Sequence, residues 1–165
     1  MRSLAPLALV LALASCGDPT TTRAVAAGTV SLSFARGDVQ GAPLAVYTTQ
    51  LRAQDELPAP SGSKAWGFAQ VKVRPNGVIE WTVRVHNPAR EAFRAGHIHV
   101  VDQANGTGPV VLTLLGGTYT DRQFEVSGSA TSTSLASALL ADPDDYYVNL
   151  HTAAFPAGAI RGNLP

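Results

Sequence analysis

The sequence predicts an all-β protein, an antiparallel β-sandwich with one short helical crossover. Three observations carry that expectation. Apolar and polar residues alternate with period two over most of the chain after Gly28. Turn formers, with 15 Gly and 11 Pro among 165 residues, cut this alternating text into short pieces. One stretch alone, TSTSLASALLADPDD, repeats its apolar positions at helical spacing.

In chain order, strands are expected at Thr29–Phe34, Leu44–Arg52, Lys64–Arg74, Val78–His86, Ala95–Val101, Pro109–Leu115, Arg122–Gly128, Tyr146–His151 and Ala159–Leu164. The clearest piece is VKVRPNGVIEWTVRVH. Its Arg74-Pro75-Asn76-Gly77 is a hairpin turn signal, after which Ile79, Trp81, Val83 and Val85 alternate with Glu80, Thr82, Arg84 and His86. The first set should face the core and the second the solvent, which leaves His86 a solvated residue. In AWGFAQVKV the apolar phase slips between Trp66/Phe68 and Val71/Val73, which predicts a bulge near Ala69. Leu135, Leu139 and Leu140, with a Ser/Thr start and an Asp-Pro stop, predict the short helix.

The first residues read as a targeting segment. Arg2 precedes an apolar run, Leu4 to Ala14, that is shorter than the ~20 helical residues a bilayer span requires. Its end, Leu13-Ala14-Ser15-Cys16, resembles the lipobox of bacterial lipoproteins, in which the cysteine becomes the lipidated first residue. Ordinary secretory cleavage that leaves Cys16 free is the alternative. The expected organisation is a signal peptide over 1–15, lipidated Cys16 with a small, polar tether over 16–28, and one β domain over 29–165. Such a chain would be anchored in a bacterial cell envelope with its domain outside the cytoplasm. Gly17, and not Asp, follows the cysteine, so the anchor would lie in the outer membrane of a host that has one.

Composition narrows the chemistry. Twelve Lys and Arg balance twelve Asp and Glu, and no basic cluster supplies a nucleic-acid footprint. Cys16 and Met1 are the only sulfur residues. A disulfide framework, a cysteine-rich zinc site, an iron–sulfur cluster, a cysteine nucleophile and a blue-copper centre are thereby excluded. Any metal must be held by His, carboxylate, amide or backbone oxygen.

Four histidines remain. In an extended strand His97 and His99 point the same way while Ile98 points oppositely, so their imidazoles can converge on one ion. Equally, such a pair can line a half-exposed sheet face and bond to neighbouring carbonyls. In DYYVNLH, Tyr147, Asn149 and His151 share one side of a strand whose other side is apolar. If that strand lies beside Ala95–Val101, three imidazoles meet, with Asn149 and Tyr147 behind them to orient the rings. Glu56 and Arg161, each set among apolar or turn residues, are candidates for a structural ion pair or for separate solvated roles. Asn105-Gly106-Thr107 reads as a turn. No nucleophile elbow, P-loop or dinucleotide fingerprint is present, so no catalytic residues are assigned.

Together LRAQDELPAP, GHIHVVDQANGTGPVVLTL and YYVNLHTAAFPAGAIRGNL resemble the chordin-type (CHRD) domain, in the family's order, from about Leu51 to Leu164. The resemblance departs at Leu57-Pro58-Ala59-Pro60 and at Ala159, where Glu is common; this leaves Glu56 as the partner if Arg161 is paired. It implies a β-sandwich, immunoglobulin-like or Cu,Zn superoxide dismutase-like. In animals the domain belongs to extracellular antagonists of bone morphogenetic proteins. His-X-His is also similar to the copper-binding strand of Cu,Zn superoxide dismutases, but their zinc-loop histidines and disulfide have no counterparts here, so dismutation is not expected. Two functions remain: a non-catalytic, lipid-anchored binding or structural module with an unknown extracellular or periplasmic partner, or a copper- or zinc-binding envelope protein using His97, His99 and His151.

Overall fold

In the computed structural model, which describes residues 41–59 and 61–165, eight strands account for the alternating text. They are β1 (Ala45–Arg52), β2 (Trp66–Val73), β3 (Val78–His86), β4 (Phe93–Val100), β5 (Val110–Leu115), β6 (Gln123–Thr131), β7 (Tyr146–Thr152) and β8 (Ile160–Asn163). One helix, α1 (Thr133–Ala141), links β6 to β7. The expected signal peptide, Cys16, the tether and the strand Thr29–Phe34 lie outside the described residues.

All neighbouring strands pair antiparallel, in the order β5-β4-β7-β8-β1-β2-β3-β6. β8 meets β1 through one register pair, Arg52↔Arg161, so the sheet turns a corner there between two four-stranded halves. The edge strands β5 and β6 come back into contact, which curls the sheet nearly closed. Across that seam Trp81 Nε1 on β3 donates to the Leu114 carbonyl on β5 at 3.1 Å. Val71, Val73, Ile79 and Val83 from one half meet Ile98, Val148, Leu150 and Ile160 from the other in a single apolar core, all fully buried. Each such side chain contributes roughly 1.5–3 kcal/mol by leaving water. The fold is thus all-β and sandwich-like with one short helix, as the alternation predicts.

The hairpin and the helix form for the expected reasons. Asn76 (φ 61) and Gly77 (φ 74) take the left-handed backbone that closes β2 onto β3, a conformation these two residue types tolerate best. Ser132 caps α1 by accepting from the Leu135 N–H at 3.3 Å, and the helix buries Ala136 and Leu139 against the core. Tyr47 on β1 fastens it further, donating its hydroxyl to the Leu139 carbonyl at 2.8 Å.

Two expectations fail on β2 and β3. β2 carries no bulge: Trp66 to Val73 pair residue for residue with both β1 and β3. Gly67, Ala69, Val71 and Val73 face inward throughout, while Trp66 and Phe68 point outward, each 44% exposed. The inward phase is hidden in the sequence because its first two positions hold Gly and Ala. Gly67 is required there, since a Cβ would stand 2.3 Å from the Arg84 carbonyl oxygen. Nor is His86 merely solvated; it is half-buried, and its ring lies against Trp66 with centroids 5.2 Å apart.

Candidate metal centre

β4 and β7 run in regular register where it matters: Ala95 faces His151, His97 faces Asn149 and His99 faces Tyr147. Since Ile98, Val148 and Leu150 enter the apolar core, the histidines, Tyr147 and Asn149 occupy the other face. Opposite His151, Ala95 presents only a methyl group. His151 leans toward His97, with ring centroids 5.1 Å apart; His97 and His99 are at 5.5 Å, His99 and His151 at 6.2 Å. On the β5 side the register shifts just before each histidine, between Gly96 and His97 and between Ile98 and His99.

Much of this face is covered by loops. His99, Tyr147, Asn149, Arg161 and Glu56 are all buried, beneath loops that follow β1, β4 and β7. Two loop carbonyls fix the imidazoles. His99 Nδ1 bonds the Gly108 carbonyl at 2.8 Å, and His151 Nδ1 bonds the Pro156 carbonyl at 3.0 Å. A carbonyl can only accept, so each Nδ1 carries the proton and each Nε2 keeps its lone pair. Both Nε2 atoms, together with His97 Nδ1, are buried without a hydrogen-bond partner. One ligand nitrogen from each of the three rings lies within 4.8 Å of the others. Around an ion with nitrogens at ~2.0–2.1 Å, ligand atoms stand about 3.3 Å apart in a tetrahedron and about 4.1 Å apart when trans in a square plane. Closing the present spacing takes roughly 1 Å of ring movement.

The electrostatics favour neutral rings. Burial, reinforced by repulsion from His151 and His99, lowers the His97 pKa from 6.5 to about 4. Burial also lowers His99 and His151, against the opposing pull of their carbonyl bonds. Unprotonated imidazoles are the form that binds a metal.

Of the two residues expected to orient the rings, Tyr147 contacts one and Asn149 bonds Glu56 instead. Tyr147 stacks on His99, centroids 4.8 Å apart and planes within 8°, and its hydroxyl accepts from the Gly108 N–H at 3.1 Å. The direct Glu56–Arg161 ion pair is not formed. Asn149 Nδ2 donates instead to Glu56 Oε2 at 2.9 Å, while Arg161 lays its guanidinium over Tyr147, 3.5 Å from the ring centre, and donates to Asn163 Oδ1. The salt bridges among the described residues are Arg74–Glu80 and Arg84–Glu125. Arg161 still acts on Glu56 at longer range. Burial outweighs it and the Asn149 bond, and raises the Glu56 carboxyl to about 7.

Sequence reasoning missed the anchors. Gly108 and Pro156 act through their backbone carbonyls, which no side-chain motif announces, although Gly108-Pro109 marks a turn. Gly158 (φ +152) was missed as well; a Cβ there would lie 2.3 Å from Glu56 Oε2. Fold and site together define an antiparallel β module with a half-buried three-histidine cluster on one sheet face. The CHRD domain model matches residues 47–164, and the chain belongs to the CHRD domain family. No curated protein and no solved structure matches it.

Proposed function

We propose that this CHRD module is a metal-binding protein of the bacterial cell envelope, in which His97, His99 and His151 hold one divalent transition-metal ion. Two observations carry the reading: one ligand nitrogen from each of the three rings lies within 4.8 Å of the others, and each ring has a buried nitrogen without a hydrogen-bond partner among the described residues. A buried polar atom without a partner is costly, and one on each of three clustered rings suits a shared ligand. All-imidazole coordination fits Cu(II) and Zn(II), with Cu(II) held more tightly. Tyr147 orients His99 by stacking on its ring and bonding the same loop residue, Gly108. The module binds and does not catalyse on this reading.

Titration of the full-length chain with Cu(II) and Zn(II), beside a His97→Ala/His99→Ala variant, tests it. One ion per chain in the wild type, lost in the variant, is expected; no saturable binding by the wild type overturns it. A second reading gives the histidines a metal-free structural role, since their Nδ1 bonds clip two loops to the β4/β7 face. A variant that lowers Tm in metal-free protein, from a wild type that ignores both metals, would select that reading.

Export and anchoring rest on the segment ending at Cys16. Fatty-acid labelling should mark the wild type and not Cys16→Ser, and equal labelling of both removes the anchor. Two or three acyl chains would hold the protein stably at the membrane.

A further inference from the structure

A second, separate polar site opens where the two sheet halves meet. At that corner Arg52 of β1 and Arg161 of β8 are direct register partners. Like charges placed opposite each other across a strand pair repel, and a guanidinium does not escape by losing its proton. Yet among the described residues neither arginine has a carboxylate within 4.0 Å. Arg161 is only 3% exposed, so its charge lacks both water and a counter-ion in contact.

Both arginines line one cavity of about 510 Å³, together with Gln50, Gln54, Asn163 and Asp55. Asp55 is the one carboxylate in that lining, against two guanidinium groups. Arg161 commits Nε and Nη2 to Asn163 Oδ1, which leaves Nη1 without a partner among the described residues. Arg52 bonds Gln50 Oε1 through Nη2. The amides of Gln54 and Asn163 add donors to the same wall.

From this arrangement we infer that the Arg52–Arg161 corner is an oxyanion-binding site, taking a carboxylate or phosphoryl group between the two guanidinium groups. The planar donor sets match such oxygens in pairs, which a halide cannot exploit. Tyr147 separates this corner from the histidine cluster, with Arg161 against its ring and His99 stacked on it. The oxyanion site requires no metal and stands independently of the metal reading.

The test uses the metal-free full-length chain at constant ionic strength, with inorganic phosphate, succinate and chloride as probes followed by calorimetric titration. Phosphate or succinate should bind saturably, and chloride should not compete at equal ionic strength. Tighter phosphate points to a phosphorylated ligand and tighter succinate to a carboxylate; either supports the site. Arg52 is half-buried at the rim, so Arg52→Gln should keep the wild-type Tm and lose at least tenfold in affinity. Arg161→Lys should weaken binding too, by keeping the charge while losing the paired donors. His97→Ala/His99→Ala should leave anion binding unchanged. The inference is overturned by absent phosphate and succinate binding, by equal displacement with chloride, or by undiminished binding in Arg52→Gln.

Discussion

His99 and Tyr147 face each other across the β4–β7 ladder and stack with centroids 4.8 Å apart, while both are fastened to Gly108. The glycine accepts from the imidazole through its carbonyl and donates to the phenol through its N–H. Ring, phenol and loop therefore hold one another. Only glycine fits at this position, because a Cβ would stand 1.9 Å from the Val100 carbonyl oxygen. The sheet supplies the spacing of the histidines, and the loops supply the tautomers of His99 and His151.

Tyr147→Phe keeps the stack and deletes the acceptor of the Gly108 N–H. The lost bond should reduce stability by about 1 kcal/mol. Loosening the carbonyl that orients His99 should weaken metal binding by about tenfold. Urea unfolding and Zn(II) titration of the variant measure the two effects separately; unchanged affinity would show that Tyr147 does not position the ring.

Glu56 should tolerate neutralisation better than truncation. Asn149 Nδ2 donates to Glu56 Oε2, while Glu56 Oε1 and Asn149 Oδ1 are both buried acceptors lacking a donor. Glu56→Gln keeps an oxygen for that bond and puts an N–H donor in place of the unpartnered Oε1, near the Asn149 Oδ1 acceptor, so it should be neutral or stabilising at pH 8. Glu56→Ala strands the Asn149 amide and should cost about 1–3 kcal/mol. Denaturation midpoints of the two variants decide it, and equal losses would contradict this account.

Gly158→Ala tests how tightly the loop after β7 closes over that carboxyl. The new methyl would lie 2.3 Å from Glu56 Oε2 and 2.6 Å from its Cδ, at a φ of +152 that disfavours side chains. A loss of about 1–3 kcal/mol is expected. Gly116→Ala, where nothing lies within 4 Å of the new methyl, should stay within about 0.5 kcal/mol of wild type. Thermal unfolding of both proteins makes the comparison.

The period-two text made the strands legible, because burial of one face imposes it directly: Ile79, Val83 and Val85 are inward as read. The cluster was legible for the same reason, since His97, His99 and His151 each fall on the polar phase. Alternation could not show that this polar phase is covered. Its lids are loops, and the contacts that matter there run through the carbonyls of Gly108 and Pro156, which any residue possesses. The phase on β2 was misread because Gly67 and Ala69 carry too little side chain to mark an inward face. Glu56 and Arg161 were correctly singled out as charges in apolar company. Their partners were not, because Arg161 meets Tyr147 through the β7–β8 ladder and Glu56 meets Asn149 across 93 residues of sequence.

Acid should destabilise the metal-free fold through the histidines, and Glu56 should oppose them. His97 falls from 6.5 to about 4 on folding, so between those values the unfolded chain binds more protons than the folded one. The stability it contributes is complete above pH 6.5 and is lost as pH falls toward 4. His99 and His151, also lowered, act in the same direction. Glu56 rises from 4.5 to about 7, so its contribution is complete below pH 4.5 and is lost as pH climbs through 7. Glu56→Gln removes the opposing slope, and its stability should rise more steeply between pH 4 and 7 than that of the wild type. Metal binding by the three rings requires neutral imidazoles and, with all three pKa values lowered, should persist below the ordinary imidazole value of 6.5 before falling. Urea midpoints of the wild type and Glu56→Gln at intervals across this range, with Zn(II) titrations beside them, check both parts. Parallel stability profiles would mean that Glu56 does not titrate there, and a Glu56→Gln profile that is flat below pH 6.5 would mean that the cluster does not exclude protons.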